Sequence, residues 1–393
     1  MAFDPELATQ AYMATLKGAA RAKSDAYFEG GYWLILWNFL AALAANLIVL
    51  RLGWAARLSR WARGRAGPTL AALIFAVPYL LLVTLLTSPL AIYAEFFREH
   101  AYGLSNQGFA EWGGEQLMII AINSAIAALL WMGVHGVIRR WPTNWWVGGT
   151  ALTIAVMMVT ITLAPLYLEP LFNRYTPLPD GPVKTAVLKL ARANGVPASN
   201  VYLVDASRQS DRISANVAGL FGTTRIALND NLLKQDINEI RAVMAHELGH
   251  YVLNHVWKFL LSLALLIAVV FALVAKGTPW LLTRFGQRWE IEGMTDPGVL
   301  PALMIMLSAV FFVATPITNS LIRTQEQEAD MFGMNAARAP DSFARIAMKL
   351  SQYRKIEPSP LEEMVFFDHP SGHTRVFTAM RWKAEHLGEP DIR

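Results

Sequence analysis

The chain has 393 residues, of which 54% are hydrophobic and only 16% charged, and its formal net charge at pH 7 is +4. Soluble domains average roughly 25% charged residues, so this composition argues against an ordinary soluble protein. The lack of cysteine excludes disulfides, thiolate metal ligands and a cysteine nucleophile. No dense run of lysine and arginine suits nucleic acid, and we expect no nucleic-acid partner.

Residues 1–29 form a polar N-terminal segment without the apolar core of a signal peptide, so we expect them to belong to the mature chain. A helix needs about 20 apolar residues to cross a bilayer core of about 30 Å. Six stretches meet that standard, four within residues 30–168 and two within residues 256–321, and tryptophans at their edges favour a membrane protein over a buried helix bundle. The predicted spans are Gly31–Leu50, Thr69–Tyr93, Gln116–Ile138, Trp145–Leu168, Val256–Ala275 and Val299–Leu321.

Two polar regions complete the chain, residues 169–255 between the fourth and fifth spans and residues 322–393 after the sixth. In the first region, apolar spacing predicts a helix and three short strands. These elements are Pro182–Val196, Asn200–Asp205, Ser214–Phe221 and Thr223–Asp230. The sequence therefore predicts a multi-span α-helical membrane protein with an inserted α+β lobe, onto which the C-terminal tail packs.

A cluster of metal-binding character, His246-Glu247-Leu248-Gly249-His250, follows the predicted strands. Residues four apart lie on one face of a helix, so His246 and His250 can share one Zn²⁺. Glu247 lies one step round the helix, where it can take a proton from a zinc-bound water. This is the His-Glu-x-x-His signature of metalloproteases. The alternative is an amphipathic helix whose histidines cap buried carbonyls, and Gly249, which is costly inside a helix, argues for close packing instead.

A catalytic zinc needs a third protein ligand, and the polar helix that follows the sixth span offers one. Asn319, Arg323, Glu326 and Asp330 form a single stripe on that helix. Alone the stripe could be a solvated salt-bridge face, but beside the histidine helix it predicts Glu326 as the third ligand and Asp330 as its support. The histidine cluster runs straight into the fifth span from Ala242 to Gly277, so we expect both ligand helices to continue into the membrane.

The segments "HELGH", "RTQEQEAD" and "FDHPSGHTR" together resemble the membrane-integral M48 zinc metalloproteases of the Ste24 or CAAX prenyl protease type. "YLEPLFNRYTPLPDG" and "YGLSNQGFAEW" are similar to other segments of that family, in the same order along the chain. The resemblance implies a gluzincin-type zinc lobe and one zinc ion per chain. It also implies a further set of site residues beyond the histidine cluster.

By this resemblance, His246, His250 and Glu326 are the metal ligands and Glu247 is the general base. His369 is the donor to the oxyanion, with His373 as a weaker rival. Three residues support the ligands: Asp330, which orients a histidine, Arg375, which braces the Glu326 carboxylate, and Arg323. The strand that starts near Ser214 is either an ordinary strand of the lobe or the edge that binds an extended peptide. The candidate substrate-binding residues are Ser214, Ala215, Asn216, Val217 and Ala218, although the family usually has asparagine where Ser214 stands.

The predicted function is a membrane-embedded zinc endopeptidase that acts on membrane-associated or prenylated polypeptides, either at CaaX-type C-termini or on misfolded membrane proteins. The alternative is a non-catalytic membrane scaffold or channel with a structural metal. The protein would lie in the bacterial inner membrane if prokaryotic, or in an ER-type membrane if eukaryotic. Five arginines in residues 51–68 would place that side in the cytoplasm and the lobe outside, whereas the resemblance places the lobe in the cytoplasm, which we adopt. The sequence leaves the oligomeric state open.

Overall fold

The computed structural model describes residues 3–219 and 224–392 of the chain. Most of these residues are helical, and the sheet is small. The α-helices are α1 Pro5–Met13, α2 Gly18–Arg51, α3 Trp54–Arg63, α4 Pro68–Ile92, α5 Arg98–Ala101, α6 Phe109–Arg140, α7 Trp145–Leu163, α8 Pro182–Ala193, α9 Ile237–Val252, α10 His255–Trp289, α11 Leu300–Ala337, α12 Pro340–Leu350, α13 Pro360–Phe366 and α14 Gly372–Glu385.

Six helical stretches in the described residues are long and apolar enough to cross a membrane. They are Gly18–Arg51, Pro68–Ala101, Phe109–Arg140, Trp145–Leu171, His255–Trp289 and Pro297–Ala337. Large apolar side chains on their outer faces are exposed, with Leu85, Leu261 and Val313 at 68%, 75% and 77%. Such exposure over several helices is unfavourable in water and natural in lipid. The predicted multi-span helical membrane protein with an inserted lobe is therefore confirmed.

The helices extend well beyond the apolar stretches from which the spans were predicted. Residues 18–29, predicted as part of a polar N-terminal segment, form the first turns of α2. The helix before them, α1, packs on the C-terminal tail, where the Tyr12 hydroxyl donates to Asp341 at 2.9 Å. Polar side chains within the bundle bond between helices, as Tyr79 does to Asn46 at 2.5 Å.

The lobe contains a four-stranded sheet with strands β1 Tyr175–Pro177, β2 Val201–Val204, β3 Ala215–Ala218 and β4 Arg225–Asn229. The strand order is β1-β2-β4-β3, so β3 is an edge strand that pairs with β4 alone, antiparallel, with Asn216 opposite Ala227. The strands β2, β3 and β4 lie within the predicted ones, and the predicted strand residues 220, 221 and 223 are outside the described part of the chain. The strand β1 was missed in the sequence.

Two arginines of the lobe contact the membrane spans close to the edge strand. Arg212, just before β3, contacts Glu99 at 2.7 Å and the Tyr27 hydroxyl at 2.8 Å. Arg225, at the start of β4, donates to the carbonyl of Pro165 at 2.7 Å. These contacts hold the strand next to the membrane-spanning bundle, because their partners belong to three different spans.

The prediction that both ligand helices continue into the membrane is wrong for the first of them. The helix α9 ends at Val252, and α10 begins at His255 after a break at Asn254, whose φ of 56° is left-handed. Asparagine tolerates this conformation better than most residues with a side chain. The helix α11, in contrast, runs unbroken from the span into the polar region as predicted.

Candidate metal centre

The site is built where α9 crosses α11 at very short range. The Asp236 side chain caps the start of α9 by accepting from the backbone of Asn238. A Cβ atom at Gly249 would lie 3.3 Å from Cα of Ala329, and one at Gly333 would lie 3.0 Å from the backbone nitrogen of His246. Both glycines therefore allow the helices to approach each other so closely, which is the close packing that Gly249 predicted.

Three side chains from these two helices converge on one point. Nε2 of His246 lies 3.1 Å from Nε2 of His250 and 3.3 Å from Oε2 of Glu326, and Nε2 of His250 lies 3.4 Å from Oε1 of Glu326. Zinc bound tetrahedrally at about 2.0–2.1 Å separates its donor atoms by about 3.3–3.4 Å. The spacing of these three donors therefore fits zinc without rearrangement.

The electrostatics of the two histidines suit a bound cation. Burial lowers the pKa of His246, but the carboxylates of Asp330 and Glu326 outweigh burial and raise it to about 10. Burial and repulsion by His246 lower the pKa of His250 to about 4. The carboxylates thus stabilise positive charge at His246, which a bound cation would supply in place of the proton, while His250 keeps a free lone pair at neutral pH.

Asp330 and Arg375 lie behind the ligands. Oδ1 of Asp330 is 2.7 Å from Nδ1 of His246, off the direction that a hydrogen bond prefers. Arg375 donates to both Asp330 oxygens, at 2.7 and 2.6 Å, whereas its distance to Glu326 is 3.7 Å. The structure therefore places Arg375 chiefly on Asp330, although the resemblance implied a brace on Glu326. A bidentate pair of this kind fixes the orientation of both partners.

Arg323 lies on α11 but contacts none of the three ligand side chains. Its guanidinium donates to the backbone carbonyls of Glu363, at 2.8 Å, and of Phe367. It thus anchors the segment that leads to His369. The Nε2 atom of His369 lies 3.4 Å from Oε2 of Glu326.

The ring of His369 is oriented by its neighbour in the chain, since its Nδ1 contacts the Asp368 carboxylate at 2.8 Å. His373 lies elsewhere, stacked on Phe377 with 6.2 Å between ring centroids. The structure therefore brings His369 to the ligands and keeps His373 away from the cavity beside them.

The carboxylate of Glu247 faces a cavity beside the ligands and has no hydrogen-bond or ion-pair partner in the part of the chain that the structure describes. Burial raises the pKa of Glu247 to about 7, against an opposing effect of His246. A partly buried, unpaired carboxylate with a pKa near neutrality has the properties of a general base.

The five candidate substrate-binding residues follow the free edge of β3. Ser214 and Ala215 line the cavity that holds Glu247, and Val217 and Ala218 line a second cavity next to His250. Asn216 lies between them, and its side-chain oxygen is buried without a hydrogen bond to the described residues. The edge therefore passes along the ligands with one cavity at each end.

Two models of known protein families match adjoining parts of the chain. The model of peptidase family M48 matches residues 177–383, more than half of the chain, and a model described as the CAAX prenyl protease N-terminal region with five membrane helices matches residues 9–174. The chain belongs to peptidase family M48. This M48 protein is a zinc metalloprotease and an integral membrane protein, with a bilayer and a peptide substrate as its partners.

Relatives of this M48 peptidase span bacteria and eukaryotes. The metalloprotease YhfN of Bacillus subtilis is 30% identical over 302 residues, which cover 75% of this chain and 70% of that protein. CAAX prenyl protease 1 of Saccharomyces cerevisiae is 27% identical over 323 residues, 77% of this chain and 70% of its own. The crystal structure of S. mikatae Ste24p has the same fold, with a TM-score of 0.75 at 21% identity, over 96% of this chain and 94% of that one.

Three further residues of this M48 peptidase reach the site and were missed in the sequence. Nδ1 of His255, the first residue of α10, lies 2.8 Å from Nδ1 of His250, and its Nε2 lies 3.0 Å from Glu328. Arg354 lines the cavity that holds Glu247. The signals available were weak: His255 follows the histidine motif closely and Glu328 lies in the ligand stretch, but nothing in the sequence distinguishes Arg354.

Proposed function

We propose that the protein is a membrane-embedded zinc endopeptidase in which His246, His250 and Glu326 hold one zinc ion per chain. The observation that carries this proposal is the spacing of the three donor atoms, all within 4.8 Å of one another. It is supported by the carboxylate of Glu247 beside them, which has no hydrogen-bond or ion-pair partner among the described residues. A scaffold or channel with a structural metal would not need that carboxylate unpaired at a cavity.

Zinc, when bound, supplies Lewis acidity that polarises the peptide carbonyl and acidifies a water. The Glu247 carboxylate accepts the proton of the attacking water and delivers it to the leaving amine. His369 donates to the negative charge that develops on the carbonyl oxygen, a contribution of about 3–4 kcal/mol for such donors. Asp330 and Arg375 keep His246 oriented, and Arg323 holds the segment on which His369 lies.

The peptide binds as an added strand along β3, which pairs with β4 on one side only and leaves the backbone groups of alternate residues free on the other. Such main-chain pairing reads little side-chain sequence. Both substrate classes, CaaX-type C-termini and misfolded membrane proteins, are compatible with this mode. The CAAX prenyl protease relatives favour the first.

Cleavage by the full chain in lipid nanodiscs tests the proposal. The zinc-loaded protein is expected to hydrolyse a fluorogenic peptide, a chelator is expected to abolish hydrolysis, and added Zn²⁺ should restore it. Restoration by zinc separates loss of metal from denaturation. Hydrolysis that persists in protein shown to be free of metal would contradict the proposal.

We further propose that the lobe faces the cytoplasm. The proposal follows the resemblance to the Ste24 type, and the five arginines in residues 51–68 are the opposing signal. The chain has no cysteine, so a single Asp180→Cys variant in the exposed lobe reports its side. An impermeant thiol reagent added to intact cells should leave this cysteine unlabelled, and labelling before lysis would place the lobe outside.

A further inference from the structure

The cavity that holds Glu247 has a volume of about 240 Å³ and two kinds of lining. One wall is apolar, formed by Val243 on α9 and by Phe343, Ile346 and Leu350 on α12. The other carries positive charge, from Arg354 and Arg375. A cavity with this lining fits an aliphatic segment that ends in, or carries, a negative charge.

The two arginines differ in whether a carboxylate pairs with their positive charge. Arg375 is paired with Asp330 through two bonds. The Arg354 guanidinium has no hydrogen-bond or ion-pair partner in residues 3–219 and 224–392. It interacts electrostatically with Asp368 and Glu326, but both carboxylates are engaged, by His369 and by the ligand histidines.

An arginine that is partly buried and unpaired is costly unless a ligand supplies the missing charge. Burial and the nearby Arg375 lower the pKa of Arg354, so together they outweigh the attraction of Asp368 and Glu326. Arginine matches a carboxylate with two parallel hydrogen bonds. The chemistry at this wall therefore calls for a carboxylate from the substrate.

The direction of β3 indicates which end of a peptide reaches Arg354. The start of β3, with Ser214 and Ala215, lines the cavity of Arg354, and its end, with Val217 and Ala218, lines the second cavity. A peptide paired antiparallel with β3 therefore has its C-terminal part in the arginine cavity. The reverse direction would bring the N-terminal part, and any free ammonium, against two arginines.

The second cavity suits the upstream part of a membrane-attached chain. It is lined by Ile161 and Pro165 from the fourth span and by Val256 and Trp257 at the start of the fifth. An upstream segment placed there lies at the membrane-facing side of the site, and the downstream segment lies in the lobe.

We propose that Arg354 binds the free α-carboxylate of the peptide segment downstream of the scissile bond. This inference rests on the proposed peptidase function and deepens it: cleavage takes place near a C-terminus, and Arg354 determines that specificity. Internal sites of long polypeptides lack the carboxylate and bind less tightly. Arg354 acts in binding, so its loss raises KM more than it lowers kcat.

The test compares one short synthetic peptide with an aliphatic C-terminal sequence in two forms, the free acid and the C-terminal amide. Binding is measured by fluorescence anisotropy to the full-length Glu247→Gln chain in nanodiscs, which does not consume the peptide. We expect the acid to bind about tenfold or more tightly than the amide. When Arg354→Gln is introduced into the same chain, the free acid should bind only as tightly as the amide. Arg354→Lys should retain part of the preference for the acid.

Arg381→Gln is the matched control, because Arg381 pairs with Glu385 on the exposed face of α14, and it should keep the full preference. Equal binding of acid and amide to the chain with Arg354 intact would overturn the inference, as would an undiminished preference after Arg354→Gln. Cleavage assays in the wild type separate this from the parent proposal. Hydrolysis of both forms at equal KM removes only the role of Arg354, whereas no hydrolysis of either form by the zinc-loaded chain contradicts the peptidase function itself.

Discussion

Glu247→Gln is expected to lower the rate of peptide hydrolysis by about 10²–10⁴-fold while the chain binds zinc as the wild type does. The amide has nearly the shape of the carboxylate but cannot accept a proton from water. Glu247 lies outside the group of three donors that meet at one point, so its replacement leaves the ligand set intact. The measurement is kcat together with zinc content per chain by mass spectrometry.

His369→Ala gives a useful comparison in the same assay. It removes a donor to the developing oxyanion but leaves the base, so we expect a loss of about 10²–10³-fold in kcat, also with unchanged zinc.

Wild-type turnover by Glu247→Gln would show that another group takes the proton. Loss of zinc in Glu247→Gln would show that the Glu247 carboxylate is itself a metal ligand.

Glu326→Ala is expected to weaken zinc binding by more than about 100-fold, since even residues that only orient a ligand change affinity by about 10–100-fold. The variant loses one of three donors and the negative charge that helps to hold a cation between His246 and His250. Zinc affinity is measured by competition with a chromogenic chelator, on protein whose helical content is checked by circular dichroism.

The matched control for this variant is Gln327→Ala, at the next position of α11. Gln327 is exposed and belongs to none of the contacts among the ligands, so its loss should leave zinc affinity unchanged. If Glu326→Ala bound zinc as tightly as Gln327→Ala, a ligand other than Glu326 would have to complete the site.

The parts of the site that the sequence predicted depend on local geometry. His246 and His250 are one helical turn apart, so their convergence follows from the period of the helix. Glu326 required a further assumption, that the helix after the sixth span packs on the histidine helix. The spans followed from length and hydrophobicity alone, and they set the fold class.

The parts that the sequence did not predict depend on contacts between distant segments. The strand β1 is short and forms only by pairing with β2. The break between α9 and α10 depends on the left-handed conformation of Asn254, within a stretch whose pattern otherwise predicts a helix. From the sequence, Arg375 could pair with either Glu326 or Asp330, and the packing of α14 places it against Asp330. Arg354 lies in a connecting segment, where no periodicity indicates what it faces.

In the proposed function, His246, His250 and Glu326 together bind one zinc ion between α9 and α11. Anomalous X-ray scattering, recorded above and below the zinc edge from crystals of the zinc-loaded full-length protein, locates the metal directly. We predict a single peak per chain about 2.0–2.2 Å from Nε2 of both histidines and from a carboxylate oxygen of Glu326. A peak at any other place, or zinc held by the two histidines with Glu326 turned away, would contradict the account.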